Sequence, residues 1–417
     1  MISIIAIGDE LLIGQVIDTN SGDIARMIAP AGWTVNDVQV VGDNAKDITR
    51  AIDRAFESSN IIITTGGIGP TKDDITKRTL SQYFGGGMIK DDSVLKNVKI
   101  VVERRGIKLN ELTASQAIVP SSCRVIQNRV GTAPIMWFER DGKVLVSMPG
   151  VPFETKQMFR EEVFPQLLER FPSNNAIEHR TMIVTGYTES ALAMKLEEWE
   201  NSIPKHLHLA YLPRPGLIRL RLDGMHRDKN FLAQDIDHYF AQLAEIIGEK
   251  VLHLADAEPQ EILLEHLNRL SLTVATAESC TGGNIAHLIT GIAGSSSTFM
   301  GSIVAYSNDV KHRLLGVSND TLERHGAVSI DTVEQMAEGV CKAINTDCSI
   351  VTSGIAGPGG GTPDKPVGTV CIAVKSPLGI VSQTHHFPGD RNRVIERAST
   401  TAIIMLIEQL KRLDNQK

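Results

Sequence analysis

The sequence predicts an α/β protein in three parts, with an α/β domain at each end and a small α+β connector between them. Three observations carry this. Short apolar runs alternate with amphipathic helical patterns through both ends of the chain, the pattern of strands in one sheet covered by helices on both faces. Turn-rich stretches at Phe171-Pro172-Ser173-Asn174-Asn175 and Ala255-Asp256-Ala257-Glu258-Pro259 divide the chain. Polar, glycine-bearing turns follow directly on apolar runs in both ends, where open α/β sheets bind their ligands. The boundaries expected are 1–172, 176–254 and 257–417.

In the first part, strands are expected at Ile2 to Ile7, Trp33 to Val41, Asn60 to Thr64 and Lys143 to Ser147, with helices at Asn20 to Ala31 and Ala45 to Ser58. This alternation points to a parallel sheet in a three-layer α/β/α arrangement. The connector opens with a strand at His179 to Val184 and a helix running through Trp199. A basic strand containing Arg219 and Arg221 follows, and their alternation reads as a solvated strand face rather than an RNA-binding surface. In the last part, Pro259 opens a helix. Strands follow at Leu272 to Thr276, Phe299 to Tyr306, Ser349 to Ser353, Thr369 to Val374 and Ile380 to His385. Ser329 is placed to cap a helix at Ile330 to Ala343, and Val394 to Leu413 forms a long closing helix.

The chain has 417 residues, 42% of them hydrophobic and 22% charged, enough for two or three domains with cores of their own. Its net charge of −7 argues against a general phosphate-backbone binder, so no direct nucleic-acid contact is expected. Five cysteines without a Cys-x-x-Cys pair read as reduced thiols of a cytoplasmic protein. The first residues read as a buried strand rather than a signal peptide. No run approaches the roughly 18 apolar residues that span a bilayer. A homodimer is expected on general grounds.

The chemistry of the last part centres on Ala277-Glu278-Ser279-Cys280-Thr281-Gly282-Gly283, a polar elbow after a buried strand. A hydroxyl there lies near the unpaired N–H groups of a helix start. Tyr306-Ser307-Asn308-Asp309-Val310-Lys311 follows, then Gly354-Ile355-Ala356-Gly357-Pro358-Gly359-Gly360-Gly361-Thr362. Serine needs a base, and a lysine serves only when burial keeps it neutral. Asn308 and Asp309 can cap a helix that carries Lys311 in its first turn. Gly282 and Gly283, or the loop at 357–361, can bring backbone N–H groups to an oxyanion or phosphate. Each residue also has a structural reading: Ser279 as a cap, Tyr306 as a packed phenol, Lys311 as a surface charge. Cys280 is the alternative nucleophile.

These motifs, with Phe387-Pro388-Gly389-Asp390-Arg391, resemble the C-terminal domain of the CinA family. The resemblance implies nicotinamide mononucleotide deamidase activity without a cofactor. Ser279, Tyr306 and Lys311 match the positions of nucleophile, proton relay and base. Thr281, Gly282, Gly283, Gly354, Gly357, Gly359, Gly360, Thr362 and Arg391 are then expected around the nucleotide, with Arg391 at its phosphate.

The first part carries Gly8-Asp9-Glu10-Leu11-Leu12-Ile13-Gly14 and Thr64-Thr65-Gly66-Gly67-Ile68-Gly69-Pro70-Thr71-Lys72-Asp73-Asp74. Gly8, Glu10, Thr65, Gly66, Gly67, Gly69, Pro70, Thr71 and Asp74 form a candidate nucleotide cradle. Asp9 and Asp73 are candidate ligands for a divalent metal ion; a carboxylate at a helix start can equally serve as a cap. With Met148-Pro149-Gly150-Val151-Pro152-Phe153-Glu154, these turns resemble the molybdopterin-binding-like domain at the N-terminus of CinA proteins. That implies metal-dependent ADP-ribose pyrophosphatase activity or a retained pterin-nucleotide site. One position departs from the family pattern: Ile135 stands where glycine is expected, and narrows the pocket if it lines it. A third reading, a non-catalytic competence-related interaction protein, remains alongside these two.

Overall fold

Alternate residues of the first strand, β1 (Ile2–Ile7), enter two different cores. Ile2 and Ile4 pack with Ile61, Ile63, Val144 and Val146. Ile5 and Ile7 pack with Ile62, Leu145 and the helix Ala45–Ser58. The period of two therefore places helices on both faces of one sheet. The computed structural model describes residues 1–71, 74–172 and 176–416. It contains two units, 1–178 with 224–235, and 179–223 with 236–417.

In the first unit, β2 (Val35–Val41), β1, β3 (Ile61–Thr65) and β8 (Lys143–Met148) run parallel. Between β3 and β8 the chain forms β4 (Met88–Lys90), β5 (Ile118–Pro120), β6 (Arg124–Ile126) and β7 (Ile135–Arg140). β4 and β5 pair apart from the main sheet, whose order is β2-β1-β3-β8-β7-β6. β7 and β6 are antiparallel, so the expected all-parallel sheet is in fact mixed. The reason is local. Asp141 and Gly142 adopt φ values of 50° and 76° between β7 and β8, a two-residue hairpin turn that only antiparallel strands can use. Ile135 does not line a pocket. It is fully buried as the first residue of β7, among Ile2, Ile4, Ile126 and Trp137.

The next sheet holds β9 (Ala176–Val184), β10 (Leu207–Arg214), β11 (Leu217–His226) and β12 (Val251–His253), in the order β10-β11-β9-β12. Arg219 and Arg221 are not simply solvated. Arg219 pairs with Asp256 and Glu258, and Arg221 with Asp223.

The last sheet has the order β14-β13-β15-β16-β17. Its members are β13 (Val274–Glu278), β14 (Phe299–Val304), β15 (Cys348–Gly354), β16 (Thr369–Ser376) and β17 (Gly379–His386). The first three are parallel and the last two antiparallel. Val274, Ile350 and Ile372 face a core with the helices Pro259–Leu270 and Arg391–Asp414. Ala275, Val351 and Ala373 face the helix Ile330–Ile344. Glu258 and Glu261 complete a reciprocal cap before Pro259. Ser329 caps the helix Ile330–Ile344 as expected. All five cysteines are unpaired. Among the described residues no helix is long and apolar enough to cross a membrane.

Candidate active site

The central parallel strand β13 ends at Glu278, and the next residue is Ser279. The Ser279 N–H donates to the Thr352 carbonyl of β15 at 3.0 Å. Gly282 and Gly283 then take φ values of 62° and 97°, which reverse the chain into the helix Asn284–Thr290. Side chains with a Cβ are strained there, which explains the glycine pair.

The amides expected to face a ligand have a different partner. Glu278 is fully buried. Its carboxylate accepts from the N–H groups of Gly283 (2.9 Å), Ile285 (3.1 Å) and Ala286 (2.8 Å), and from the Thr281 hydroxyl (2.7 Å). Thr281 also bonds Thr352. Thr281 and Gly283 are thus structural members of a capped elbow rather than substrate contacts. The helix start is already occupied by a negative charge. Glu278→Ala strands three amides, that of Ile285 buried and those of Gly283 and Ala286 partly so, and one buried hydroxyl. It is expected to cost about 3 kcal/mol or more of stability, read as a lower urea midpoint in the full chain.

Lys311 comes from the helix Asn308–Leu315 beyond β14. Ser307, not Asn308 or Asp309, caps this helix, accepting from the Val310 N–H. Lys311 lies in its first turns and is 1% exposed. Its Nζ lies 3.0 Å from Ser279 Oγ and 2.7 Å from the Ala305 carbonyl, with the Tyr306 carbonyl at 3.5 Å. Among the described residues no carboxylate pairs with it. Burial lowers its pKa from the ordinary lysine value. A neutral amine has two N–H groups for the two carbonyls and one lone pair for the Ser279 hydroxyl proton, which is the geometry of a base beside a nucleophile. Cys280 is the poorer nucleophile, since burial pushes its thiol up to about 12.

A cavity of about 220 Å³ opens on this pair, bounded also by Cys280, Tyr306, Ser353, Gly354 and Arg391. Three larger hollows, about 410, 470 and 570 Å³, hold no paired nucleophile and base. The Tyr306 ring is 63% exposed, and its hydroxyl meets Arg391 Nη2 at 3.2 Å rather than the lysine. The relay expected of the phenol therefore has no bond to Lys311 behind it. Arg391, the first residue of the helix Arg391–Asp414, also donates to the Gly357 carbonyl at 2.8 Å. The glycine loop departs further from expectation. Gly354 lines the cavity and Gly357 anchors Arg391, but Gly359, Gly360 and Thr362 are exposed and do not line it. Gly282 does not line it either.

Sequence reasoning missed Glu278 and Lys365. Lys365 Nζ donates to the His325 carbonyl at 2.9 Å and the Val328 carbonyl at 2.7 Å. A carboxylate just before a serine and a Gly-Gly turn is a local signal for the first; the second has none.

In the first unit, Gly8-Asp9-Glu10 and Thr65 to Gly69 meet at the carboxyl ends of β1 and β3. A Cβ on Gly66 would lie 2.1 Å from the Ile7 carbonyl oxygen, so only glycine fits. Asp9 and Asp43 each accept the other's backbone N–H at 3.1 Å. Burial raises the Asp43 pKa, and the charges of Asp9, Glu10 and Asp74 add to that rise. Asp74 takes the amides of Gly69 (2.7 Å) and Thr71 (2.9 Å), so neither amide is free for a phosphate. Asp73, expected as a metal ligand, lies outside the described residues, as does Lys72. Among the described residues no three or more His, Cys, Asp or Glu are grouped to hold a metal ion. Asp9 is engaged with Asp43.

Comparisons with known proteins agree with this layout. Residues 256–410 match the family described as "CinA C-terminal domain". Residues 3–169 match "Probable molybdopterin binding domain", and residues 179–252 match "Damage-inducible protein CinA KH domain". A CinA-like protein of Flavobacterium psychrophilum is 40% identical over 412 residues, covering 98% of each chain. Another, of Cytophaga hutchinsonii, is 39% identical over 409 residues, covering 98% of this chain and 97% of its own. The crystal structure of the competence/damage inducible protein CihA from Agrobacterium tumefaciens is 38% identical, with a TM-score of 0.36. It covers 37% of this chain and 97% of its own. With a molybdopterin-binding-like fold, a KH-like connector and a CinA C-terminal domain in one chain, and full-length relatives at this identity, the protein belongs to the CinA family.

Proposed function

We propose that the C-terminal site hydrolyses the carboxamide of nicotinamide mononucleotide, giving nicotinic acid mononucleotide and ammonia. The observation that supports this most is the 3.0 Å approach of a buried lysine amine to Ser279 Oγ in a cavity. Ser279 attacks the carboxamide carbon while Lys311 takes its proton. The C–N bond of the tetrahedral intermediate breaks as Lys311 returns that proton to the leaving nitrogen, and ammonia departs. Water, deprotonated by Lys311, then cleaves the acyl-serine ester, and the proton returns to the serine. The pyridinium charge makes the carbonyl carbon more electrophilic. No residue of this scheme requires a cofactor.

The cavity is smaller than the roughly 300–1,000 Å³ that encloses a whole drug-sized ligand. It suits the pyridine carboxamide, with the ribose phosphate at the mouth beside Arg391. The guanidinium has five N–H donors, and two of its nitrogens already hold Gly357 and Tyr306. The remaining donors are available to phosphate. Arg391→Gln is expected to raise KM for the nucleotide about tenfold with little change in kcat, since a contact remote from the reacting carbon binds ground and transition states alike. Ammonia release from nicotinamide mononucleotide, with the acid mononucleotide as co-product, tests the reading directly. Absence of both products from the purified full chain would end it.

For the first unit we infer a nucleotide-type ligand at the ends of β1 and β3, where Gly66 permits close backbone approach. Cleavage of ADP-ribose there calls for a divalent ion, and we derive no step through one. Divalent-metal-dependent release of AMP from ADP-ribose separates an active site from a retained pterin site.

A further inference from the structure

The turn His325 to Val328 contributes Ala327 and Val328 to the cavity wall, and every one of its carbonyl oxygens is held. The His325 and Val328 oxygens accept from Lys365 Nζ. The Gly326 oxygen accepts from the hydroxyls of Ser329 (3.1 Å) and Thr332 (2.8 Å). The Ala327 oxygen accepts from Ser353 Oγ at 2.7 Å. The N–H groups of Ala327 and Val328, by contrast, have no acceptor among the described residues. Consecutive backbone amides without an acceptor can form a concavity for negative charge. Gly326, at φ 76°, makes the reversal that precedes them.

The turn is also close to the nucleophile. Ser353, which holds Ala327, directly follows Thr352, whose carbonyl accepts the Ser279 N–H. Of the amides at the elbow, those of Gly283, Ile285 and Ala286 belong to Glu278 and are not available to an oxyanion.

Lys365 is itself held in place by the glycine loop. Thr362 donates its N–H to the Lys365 carbonyl at 2.9 Å and accepts the Lys365 N–H on its hydroxyl at 3.1 Å. A Cβ on Gly361 would lie 2.8 Å from the Val367 nitrogen. The loop that was expected to contact the nucleotide delivers a lysine to the carbonyls of this turn.

We propose that Lys365 is a positioning residue: by bridging the His325 and Val328 carbonyls it pins the two ends of the turn, while Ser353, Ser329 and Thr332 hold the planar peptide units that carry the Val328 and Ala327 amides, and these amides bind the carboxamide oxygen as it becomes an oxyanion. The inference rests on the amidase reading and identifies the oxyanion donors of that same site. Arg391 serves the phosphate at the mouth, and the turn serves the reacting carbonyl.

Loss of a single oxyanion donor typically lowers kcat about 10²–10³-fold. Lys365 acts through the turn, so Lys365→Met is expected to lower kcat by roughly tenfold to a hundredfold, with KM within about twofold. Lys365→Arg, which keeps a cation able to reach two carbonyls, is expected to restore much of it. An unchanged kcat in Lys365→Met, or a KM effect alone, overturns the proposal. A readout independent of turnover uses the wild-type chain labelled with ¹⁵N-alanine and ¹⁵N-valine. Nicotinate, a carboxylate without phosphate, is expected to move the Ala327 and Val328 amide signals, and ribose 5-phosphate is not. In Lys365→Met the nicotinate shifts are expected to shrink. Shifts with ribose 5-phosphate alone would make the turn a phosphate site and sink the assignment. Failure of the wild type to release ammonia would instead remove the amidase reading, and the nicotinate titration would still decide whether the turn binds an anion.

Discussion

Ser279→Ala is expected to lower deamidation by roughly four or more orders of magnitude, because serine forms the bond that replaces the carbon–nitrogen bond of the amide. Among the described residues the hydroxyl makes one hydrogen bond, to Lys311 Nζ. Lys311 keeps the Ala305 carbonyl when that contact is removed. The backbone of the elbow is held independently by Glu278 and by the Ser279 N–H bond to Thr352. The variant is therefore expected to fold with an unchanged unfolding midpoint and to bind nicotinic acid mononucleotide as the wild type does. Rapid quenching during turnover, followed by intact mass measurement, should find an acyl adduct on the wild type and none on the variant. Residual turnover within tenfold of the wild type would remove Ser279 from the mechanism and return attention to a water nucleophile.

Lys311→Met is the second large effect, at least about 10³-fold in kcat near neutral pH, since the serine loses both its proton acceptor and the donor to the leaving nitrogen. It also predicts a pH signature. Burial lowers the Lys311 pKa, so the neutral, active form appears below the ordinary lysine range. The wild-type kcat/KM should climb about tenfold per pH unit on the acid side of that lowered pKa and then level off before pH 10.5. The methionine variant should lack this limb. Stability carries the same sign. The unfolded chain binds the lysine proton more tightly than the native one, so the buried amine costs stability at low pH. That cost fades as pH rises from the lowered pKa toward the unfolded value. Wild-type stability is thus expected to gain on the methionine variant as pH rises toward the ordinary lysine value of 10.5 in parallel urea titrations. A flat difference would mean that Lys311 is not titrating against burial.

Much of this was legible along the chain. Apolar runs bounded by turn residues located β1, β3, β8, β13, β15 and β16 to within a few residues, because a strand buried on both faces must be apolar along its length. The reading erred where it treated strand alternation as a sufficient sign of parallel pairing. Asp141-Gly142 and the short link between β16 and β17 both leave too little chain for a crossover. Both signals were local and available. Ile135 belongs with Met136-Trp137-Phe138, an apolar run that starts a strand, and its burial follows from that run rather than from any ligand.

Chemical capacity was written locally, in a serine at a strand end, a lysine near a helix start and a glycine-rich loop. Their relations were not. Ser279 and Lys311 are 32 residues apart, and nothing between them states that parallel pairing of β13 with β14 brings the two together. Tyr306 follows the same strand as Lys311's helix, yet its ring turns outward to Arg391, 85 residues away. Lys365 left no local signal, and that of Glu278 showed a carboxylate beside the elbow but not its partners, because their roles consist of which amides and carbonyls they occupy. Those choices depend on strand register and on rotamers selected by packing. Residue type sets what a side chain can donate, accept or attack; three-dimensional packing sets which partner it reaches, and hydrogen bonds and desolvation act only over the few ångströms that packing fixes.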